Sequence, residues 1–596
     1  MSMCVKTILP AGKRTGFRRL AQPVLGCLLA VFSGLPILAS ATESGADLFT
    51  DSAKDAGLDS WYFNGMSGEY YFPENLGGGV ALFDYDKDGD LDVYLTQGHM
   101  LGEGKTLEDA LFPPRAGMHF SDRLFRNDLA LDSKGKSVIR FTDVTESAGI
   151  DAPGYGMGVT TGDIDNDGWV DIFVTNLGSY QLLRNNGDGT FNDVTKKAGL
   201  DVPGWGVSAS FLDFDRDGHL DLYVANYVYF ELAKNKPCYG LSGARDYCGP
   251  NFFRPMQDRL YHNRGDGTFE DVSVDAGINQ VAAPGLGVIS GDFNQDGWMD
   301  VYVANDGEPN QLWINQKNGT FKDEAFMAGV AVNMEGAPEG SMGVDAADFD
   351  GDGDEDLFMT HLLGETNTIY VNDGEGWFED RSIATGLAAP SKGYTAFGTT
   401  WFDYNNDGWL DLFVANGDVR VMPILVRAGD RYPLHQPNQL FANEHGKFRD
   451  ITAQAGAVFQ LSEVSRGVAV GDVDNDGDSD IVVANSNGPV RLLINNTGNN
   501  NHWLGLRLVN EQGQDAIGAR AVIRLSDGRS LWRRVRVDGS YASANDPRIL
   551  AGLGDAANIR TTQVYWPNGN TEEWPALAID RYHTLVAGQG KPVEKP

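Results

Sequence analysis

Asp84-Tyr85-Asp86-Lys87-Asp88-Gly89-Asp90-Leu91-Asp92 decides the fold of this chain, because its pattern is written seven times. Positions one, three, five and nine are Asp84, Asp86, Asp88 and Asp92 here, and Asp163, Asp165, Asp167 and Asp171 in the second copy. They are Asp213, Asp215, Asp217 and Asp221, then Asp292, Asn294, Asp296 and Asp300, in the third and fourth. Asp348, Asp350, Asp352 and Asp356 follow, then Asp403, Asn405, Asp407 and Asp411, and last Asp472, Asp474, Asp476 and Asp480. Position six is always Gly. Hard oxygen ligands at alternate positions around a sharp glycine turn are what Ca²⁺ requires, so up to seven calcium sites are expected. Position seven is Asp90, Trp169, His219, Trp298, Asp354, Trp409 or Asp478. That indifference to side chain fits a ligand offered by the backbone carbonyl. An EF-hand would need Glu at position twelve, where the chain has Leu95, Val174, Val224, Val303, Met359, Val414 and Val483.

Working outward, each loop is preceded by a Gly-rich apolar run such as Gly467–Gly471 and followed by a β-branched run such as Asp221–Asn226. A third run ending in Asn (Asn185, Asn315, Asn495), a Gly-rich turn and a Phe-x-Asp strand complete the unit. Short β-rich runs bounded by Gly, Asn and Asp are strands joined by hairpins. Four strands in each of seven units predict an all-β chain built on a seven-bladed β-propeller over residues 48–496. Phe49-Thr50-Asp51 precedes any loop and no such strand follows the last one, so the N-terminal strand is expected to close the seventh blade and remove an open edge. The loops join first and second strands. The long insertions, about 97–122, 227–257 and 417–436, join second and third strands, which places them on the opposite face.

The formal charge of −36 excludes a nucleic-acid reader built on a basic stripe. The seven loops hold 29 aspartates of the chain's 83 acidic residues, at fixed offsets that a merely solvated acidic surface does not explain. Lys6, Lys13, Arg14, Arg18 and Arg19 precede an apolar run from Val24 to Leu38 and then Ala39-Ser40-Ala41. That is the order of a secretory signal peptide over residues 1–41. No later stretch is apolar enough for a membrane span. A periplasmic or secreted protein is therefore expected, with Cys238 and Cys248 forming one disulfide.

The Gly291–Gly297 loop with Asp300–Asn305 and Asn318-Gly319-Thr320-Phe321 resembles the FG-GAP/VCBS repeats of integrin-α-like propellers. After Thr497-Gly498-Asn499-Asn500-Asn501 the repeats stop, and residues 502–588 read as a small separate β-rich unit. His502–Leu508, Ile517–Ile523, Gly552-Leu553-Gly554 and Val564–Gly569 look like an ASPIC/UnbV domain. Together the two parts are similar to the cartilage acidic protein 1 (CRTAC1) family. Tyr541-Ala542-Ser543-Ala544-Asn545 departs from the Ser-Gln pair usual there.

No serine elbow, phosphate loop or Cys/His nucleophile is present in the sequence, so no catalytic residue is assigned. Second strands end in Gln97, Asn176, Asn226, Asn305, Asn416 and Asn485, with His361 in the remaining unit. The ordinary reading is amides capping the following turn. The sharper one is a ligand face where His99, His119 and His435 approach His361. The resemblance implies recognition, adhesion or binding of polysaccharide or matrix, by a protein or carbohydrate ligand on the face opposite mainly structural calcium. The alternative is an enzyme or accessory protein of secondary metabolism, since UnbV-type proteins are associated with enediyne pathways.

Overall fold

Every acidic loop joins the first two strands of a four-stranded antiparallel unit, and the units recur in chain order. The structure, a computed structural model, describes residues 47–240, 243–556 and 558–593; the expected signal peptide lies outside them. The first unit runs Val80–Phe83, Asp92–Leu95, Arg123–Asn127 and Phe141–Asp143. The second strands are buried along their whole length in this unit and in the units containing Asp221–Asn226, Asp300–Asn305 and Asp480–Asn485. Alternate side chains therefore serve two neighbours. Ile172 packs with Tyr94 of the first unit, while Phe173, the next residue, packs with Leu222 of the third. Apolar clusters of this kind fill each gap between consecutive units, and one joins Val93 of the first to Val482 of the seventh. The sheets thus form a ring with its cores between the units.

Closure uses the N-terminus, as the repeat phase predicts. Phe49–Asp51 pairs antiparallel with Arg491–Asn495, Phe49 opposite Asn495. Arg491 fastens the joint by ion pairs to Asp51 at 2.7 Å and Glu463 at 2.6 Å.

A second set of ties runs around the ring. The Asn that ends each third strand is buried, and its Nδ2 donates to the position-two carbonyl of the preceding unit's acidic loop. Asn127 reaches Val473, Asn185 reaches Tyr85, Asn263 reaches Ile164 and Asn315 reaches Phe214. Asn372, Asn443 and Asn495 reach Phe293, Phe349 and Tyr404 in the same way. All seven distances lie between 2.7 and 3.0 Å. Backbone carbonyls buried at a sheet end must find donors, and these amides supply them.

The residues after Asn501 form a β-rich unit with its own sheets and core, and it packs against the ring. They form a three-stranded sheet (Ile549–Gly554, His502–Val509, Tyr582–Val586) and a five-stranded one centred on Arg520–Leu525 and Ile559–Tyr565. The two sheets share a core that includes Leu504, Ala521, Ile523 and Val564. The segment between their strands, about residues 536–548, enters the ring and meets the first strand of every unit. Leu82 and Val80 bond Ala544, Val159 donates to the Ala542 carbonyl, and Ala542 donates to Ser208. Ser290 donates to Asp538, Val344 and Thr399 donate to Ser540, and Asp546 donates to the Val470 carbonyl. The approach is close: a Cβ on Gly79 would lie 2.5 Å from the Ala542 carbonyl oxygen. Composition and strand pattern change at the linker, and neither reports where a loop inserts.

Tyr541 is fully buried at the centre, its ring edge-on to Phe397 and its hydroxyl donating to the Leu76 carbonyl. Arg466 lies over the Phe397 ring at 3.9 Å and donates to the carbonyls of Asn75 and Gly417. The other mouth of the ring is covered by the insertions, which lock together through Val421 on Asp246 and Phe112 against Tyr432 and onto the N-terminal segment through Tyr247 on Glu74. Cys238 and Cys248 are joined by a disulfide within the second insertion.

Asn185→Ala removes donors to Tyr85 and Val170 and an acceptor for Gly187, all in buried or part-buried surroundings. A loss of about 2–4 kcal/mol is expected by chemical denaturation, against less than about 0.5 kcal/mol for the exposed neighbour change Asn186→Ala.

Candidate metal loops and the covered acidic face

The backbone of each loop shapes a pocket before any ion is considered. Position four takes the left-handed conformation at Lys87, Asn166, Arg216, Gln295, Asn406 and Asn475, with Gly351 in the fifth copy. The chain then turns back so that the position-six N–H donates to the position-one carboxylate, at 3.1 Å for Gly89 on Asp84 and 2.6 Å for Gly168 on Asp163. The position-seven N–H donates to position five, Asp90 on Asp88 and Trp409 on Asp407 being typical. Position nine is held by two backbone donors. Asp171 accepts from Ile164 at 3.0 Å and from Asn185 at 2.7 Å, and Asp92, Asp221, Asp300, Asp411 and Asp480 repeat the pattern.

What remains is a set of oxygens without partners. Asp84 and Asp86 each keep a buried oxygen with no hydrogen bond, as do Asp165, Asp213, Asp292, Asp348, Asp350 and Asp474. In the first, second, third and fifth loops, oxygens of positions one, three and nine lie within 4.8 Å of one another. Burial, with neighbouring carboxylates adding to it, pushes Asp84 and Asp213 up to about 6 and Asp348 up to about 7. Asp92, Asp171, Asp300, Asp356, Asp411 and Asp480 are held well above the ordinary carboxylate range, burial again the main cause. Converging, desolvated carboxylates raise one another's cost of ionisation, and a hard cation is the group that relieves it. The residues present fit such an ion. Positions one, three, five and nine would hold it, and its charge would replace the missing counter-charge.

Two features escaped the sequence reading. Position seven is not idle: Lys87 lies over Trp169 at 4.1 Å, Arg216 over Trp298 at 4.3 Å, and Asn166 meets His219. Position four of one loop thus grips position seven of the next. A one-residue left-handed turn leaves no sequence signature when Lys, Arg or Gln occupies it. In the second and third units the residue before the third-strand Asn also leans over the loop. Arg184 pairs with Asp165 and Asp167, and His262 groups with Asp215 and Asp217.

The acidic face is largely covered by the C-terminal unit. Arg529 and Arg533 donate to the carbonyls of Asp407 and Gly408, and Arg520 donates to that of Gly353. Tyr582 donates to Asp472, and the Asn499 amides contact Asp476 and Asp478. A cleft of about 830 Å³ lies between the first three loops and the C-terminal residues Arg507, Gln514 and Tyr582.

On the opposite face the amides cap as the ordinary reading expects. Asn305, Asn416 and Asn485 donate to the carbonyls of Pro309, Pro437 and Pro489. The four histidines have separate surroundings. His361 is buried, faces Ser341 at 3.1 Å, and is pushed down to about 4 by that burial. His99 bonds the Met100 carbonyl and abuts Tyr155, His435 pairs with Asp430 and Ser462, and His119 is exposed. They share no hydrogen-bond partner among the described residues.

Residues 510–592 match the family described as ASPIC and UnbV. Residues 163–224, 247–303, 292–359 and 361–414 match the FG-GAP-like repeat, and 466–502 match the FG-GAP repeat. Cartilage acidic protein 1 of Mus musculus is 27% identical over 316 residues, covering 52% of this chain and 45% of the relative. The chain belongs to the CRTAC1-like family. The Homo sapiens protein of the same name is 28% identical over 209 residues, 33% of this chain and 29% of the relative. This CRTAC1-like chain therefore aligns with less than half the length of those relatives. Among solved structures, the BP39L lectin from Burkholderia pseudomallei superposes with a TM-score of 0.40 at 11% identity, over 71% of this chain and 97% of the lectin.

In EDTA the loop carboxylates of the folded chain bind protons that the unfolded chain has released. Stability therefore falls as pH rises from the ordinary value of 3.8 through the folded values of about 7 at Asp348, Asp403 and Asp472. The melting temperature in EDTA should be higher at pH 5.5 than at pH 8. With a divalent cation the order should reverse, because only deprotonated carboxylates are ligands.

Proposed function

We propose that the protein is an exported, seven-bladed, calcium-loaded propeller that acts in recognition or adhesion, with the ions as structural members. Its protein or carbohydrate partner is proposed to dock on the insertion face. The unpartnered carboxylate oxygens support the choice of a hard cation. The disulfide and the family support export.

The observation that carries the choice of face is what the insertions present. They interlock over the ring's mouth yet leave Leu107, Leu111, Tyr239, Phe252, Ile424 and Val426 between 44% and 70% exposed. The three insertions contain nine basic and eight acidic residues, so this face lacks the acidic excess of a chain whose net charge is −36. Large exposed apolar side chains gathered on one face mark an interaction surface. On the other face the C-terminal unit already occupies much of the ground. A role in secondary metabolism rests on the domain resemblance alone.

Glycan and protein arrays probed with the calcium-loaded chain should give specific hits. Tyr239→Ser with Phe252→Ser should weaken them about tenfold or more while leaving the melting temperature within a few degrees. Retained binding in that variant would move the site elsewhere. Asp213→Ala with Asp215→Ala should lower bound calcium by about one ion per chain in equilibrium dialysis, the count expected for one independent loop.

A further inference from the structure

Where the C-terminal unit meets the fifth, sixth and seventh repeats, the structure encloses a cavity of about 110 Å³. Five arginines line it, Arg520, Arg533, Arg534, Arg536 and Arg548, together with Trp401. Three have a carboxylate. Arg536 bonds Asp345 at 2.8 Å, Arg548 bonds Asp546 at 2.9 Å, and Arg534 Nε bonds Glu355 at 2.7 Å. Arg520 and Arg533 donate only to backbone carbonyls, those of Gly353, Trp532 and Gly408, and neither forms an ion pair among the described residues.

The deficit is visible atom by atom. Arg533 Nε, Arg534 Nη1, Arg534 Nη2 and Trp401 Nε1 are buried donors without partners, and the Arg534 side chain is 3% exposed. Two acceptors in the wall also lack partners, Glu355 Oε2 and Asp348 Oδ2, and the latter belongs to the fifth loop's carboxylate cluster. The other acidic lining residues are engaged: Asp403 and Asp472 by Gly408 and Gly477, Asp546 by Arg548. Unpaired guanidinium N–H groups held out of water are costly, and what satisfies several at once is an anion with several acceptor oxygens. The planar guanidinium fork matches the edge of a tetrahedral oxyanion. The volume admits sulfate or phosphate.

We propose that this cavity is a binding site for a small tetrahedral oxyanion, held by Arg533, Arg534 and Trp401. The anion ties the C-terminal unit to the last three repeats. Any cation taken up by the loops beginning at Asp348, Asp403 and Asp472 makes the cavity more positive, but the unpartnered guanidinium N–H donors are there without it.

The test uses the full calcium-loaded chain. Crystals grown without sulfate or phosphate and soaked in selenate should show an anomalous peak within hydrogen-bonding reach of Arg533 Nε and Arg534 Nη1. In solution, sulfate should raise the melting temperature saturably beyond sodium chloride of equal ionic strength. A separate calcium-free arm with sulfate and phosphate side by side distinguishes the two oxyanions. Arg534→Gln should shift the sulfate midpoint by at least about tenfold, the factor for one lost charge-assisted hydrogen bond. Water alone in the soaked cavity, or an equal response to chloride, overturns the proposal, and because the soak uses the unaltered chain, poor folding of the variant leaves it decidable. A sulfate response in a chain indifferent to EDTA would sink the calcium reading and leave this one standing.

Discussion

The bond from each buried third-strand asparagine to the preceding unit's acidic loop is the constraint on which the rest depends. One side chain meets three obligations. In Asn185, Nδ2 satisfies the carbonyls of Tyr85 and Val170, and Oδ1 takes the N–H of Gly187. Its backbone N–H meanwhile fixes Asp171, the ninth loop residue. Ring closure, loop shape and placement of the carboxylates are thereby one hydrogen-bond system. Because buried polar groups are costly when unpaired, the system tolerates little slack.

That geometry leaves the acidic face under electrostatic strain. Backbone donors hold the carboxylates of positions one, five and nine, while buried oxygens at positions one and three are left without partners. The C-terminal unit meets this face with arginines, many of which bond loop carbonyls in place of the carboxylates. Arg529, Arg533 and Arg520 all do so. These three arginines thus anchor the covering unit without pairing with a loop carboxylate. The same region leaves guanidinium N–H donors without partners at the last three repeats.

The ring's centre is equally committed. Tyr541, Phe397 and Arg466 stack through it, and the 536–548 segment bonds the first strand of each unit. The insertions, with the segment around Glu74, cover the far mouth.

The strands, the acidic loops, the closing Phe49–Asp51 strand and the disulfide were legible in the sequence, because each rests on local chemistry that repeats. Alternation, glycine at a tight turn and carboxylates at fixed offsets are properties of short segments. The capping role of Asn305 and Asn416 was readable for the same reason. Three things were not. The left-handed position four carries Lys, Arg, Gln or Asn and has no consistent residue type. The separate partners of His99, His119, His361 and His435 depend on insertions whose paths no local rule sets. The entry of Tyr541–Asn545 into the ring is a contact between residues hundreds of positions apart. Local sequence thus determined the repeats and their candidate ligands. Only the tertiary structure decided what covers them, because long-range packing brings the arginines of one domain over the carbonyls of the other.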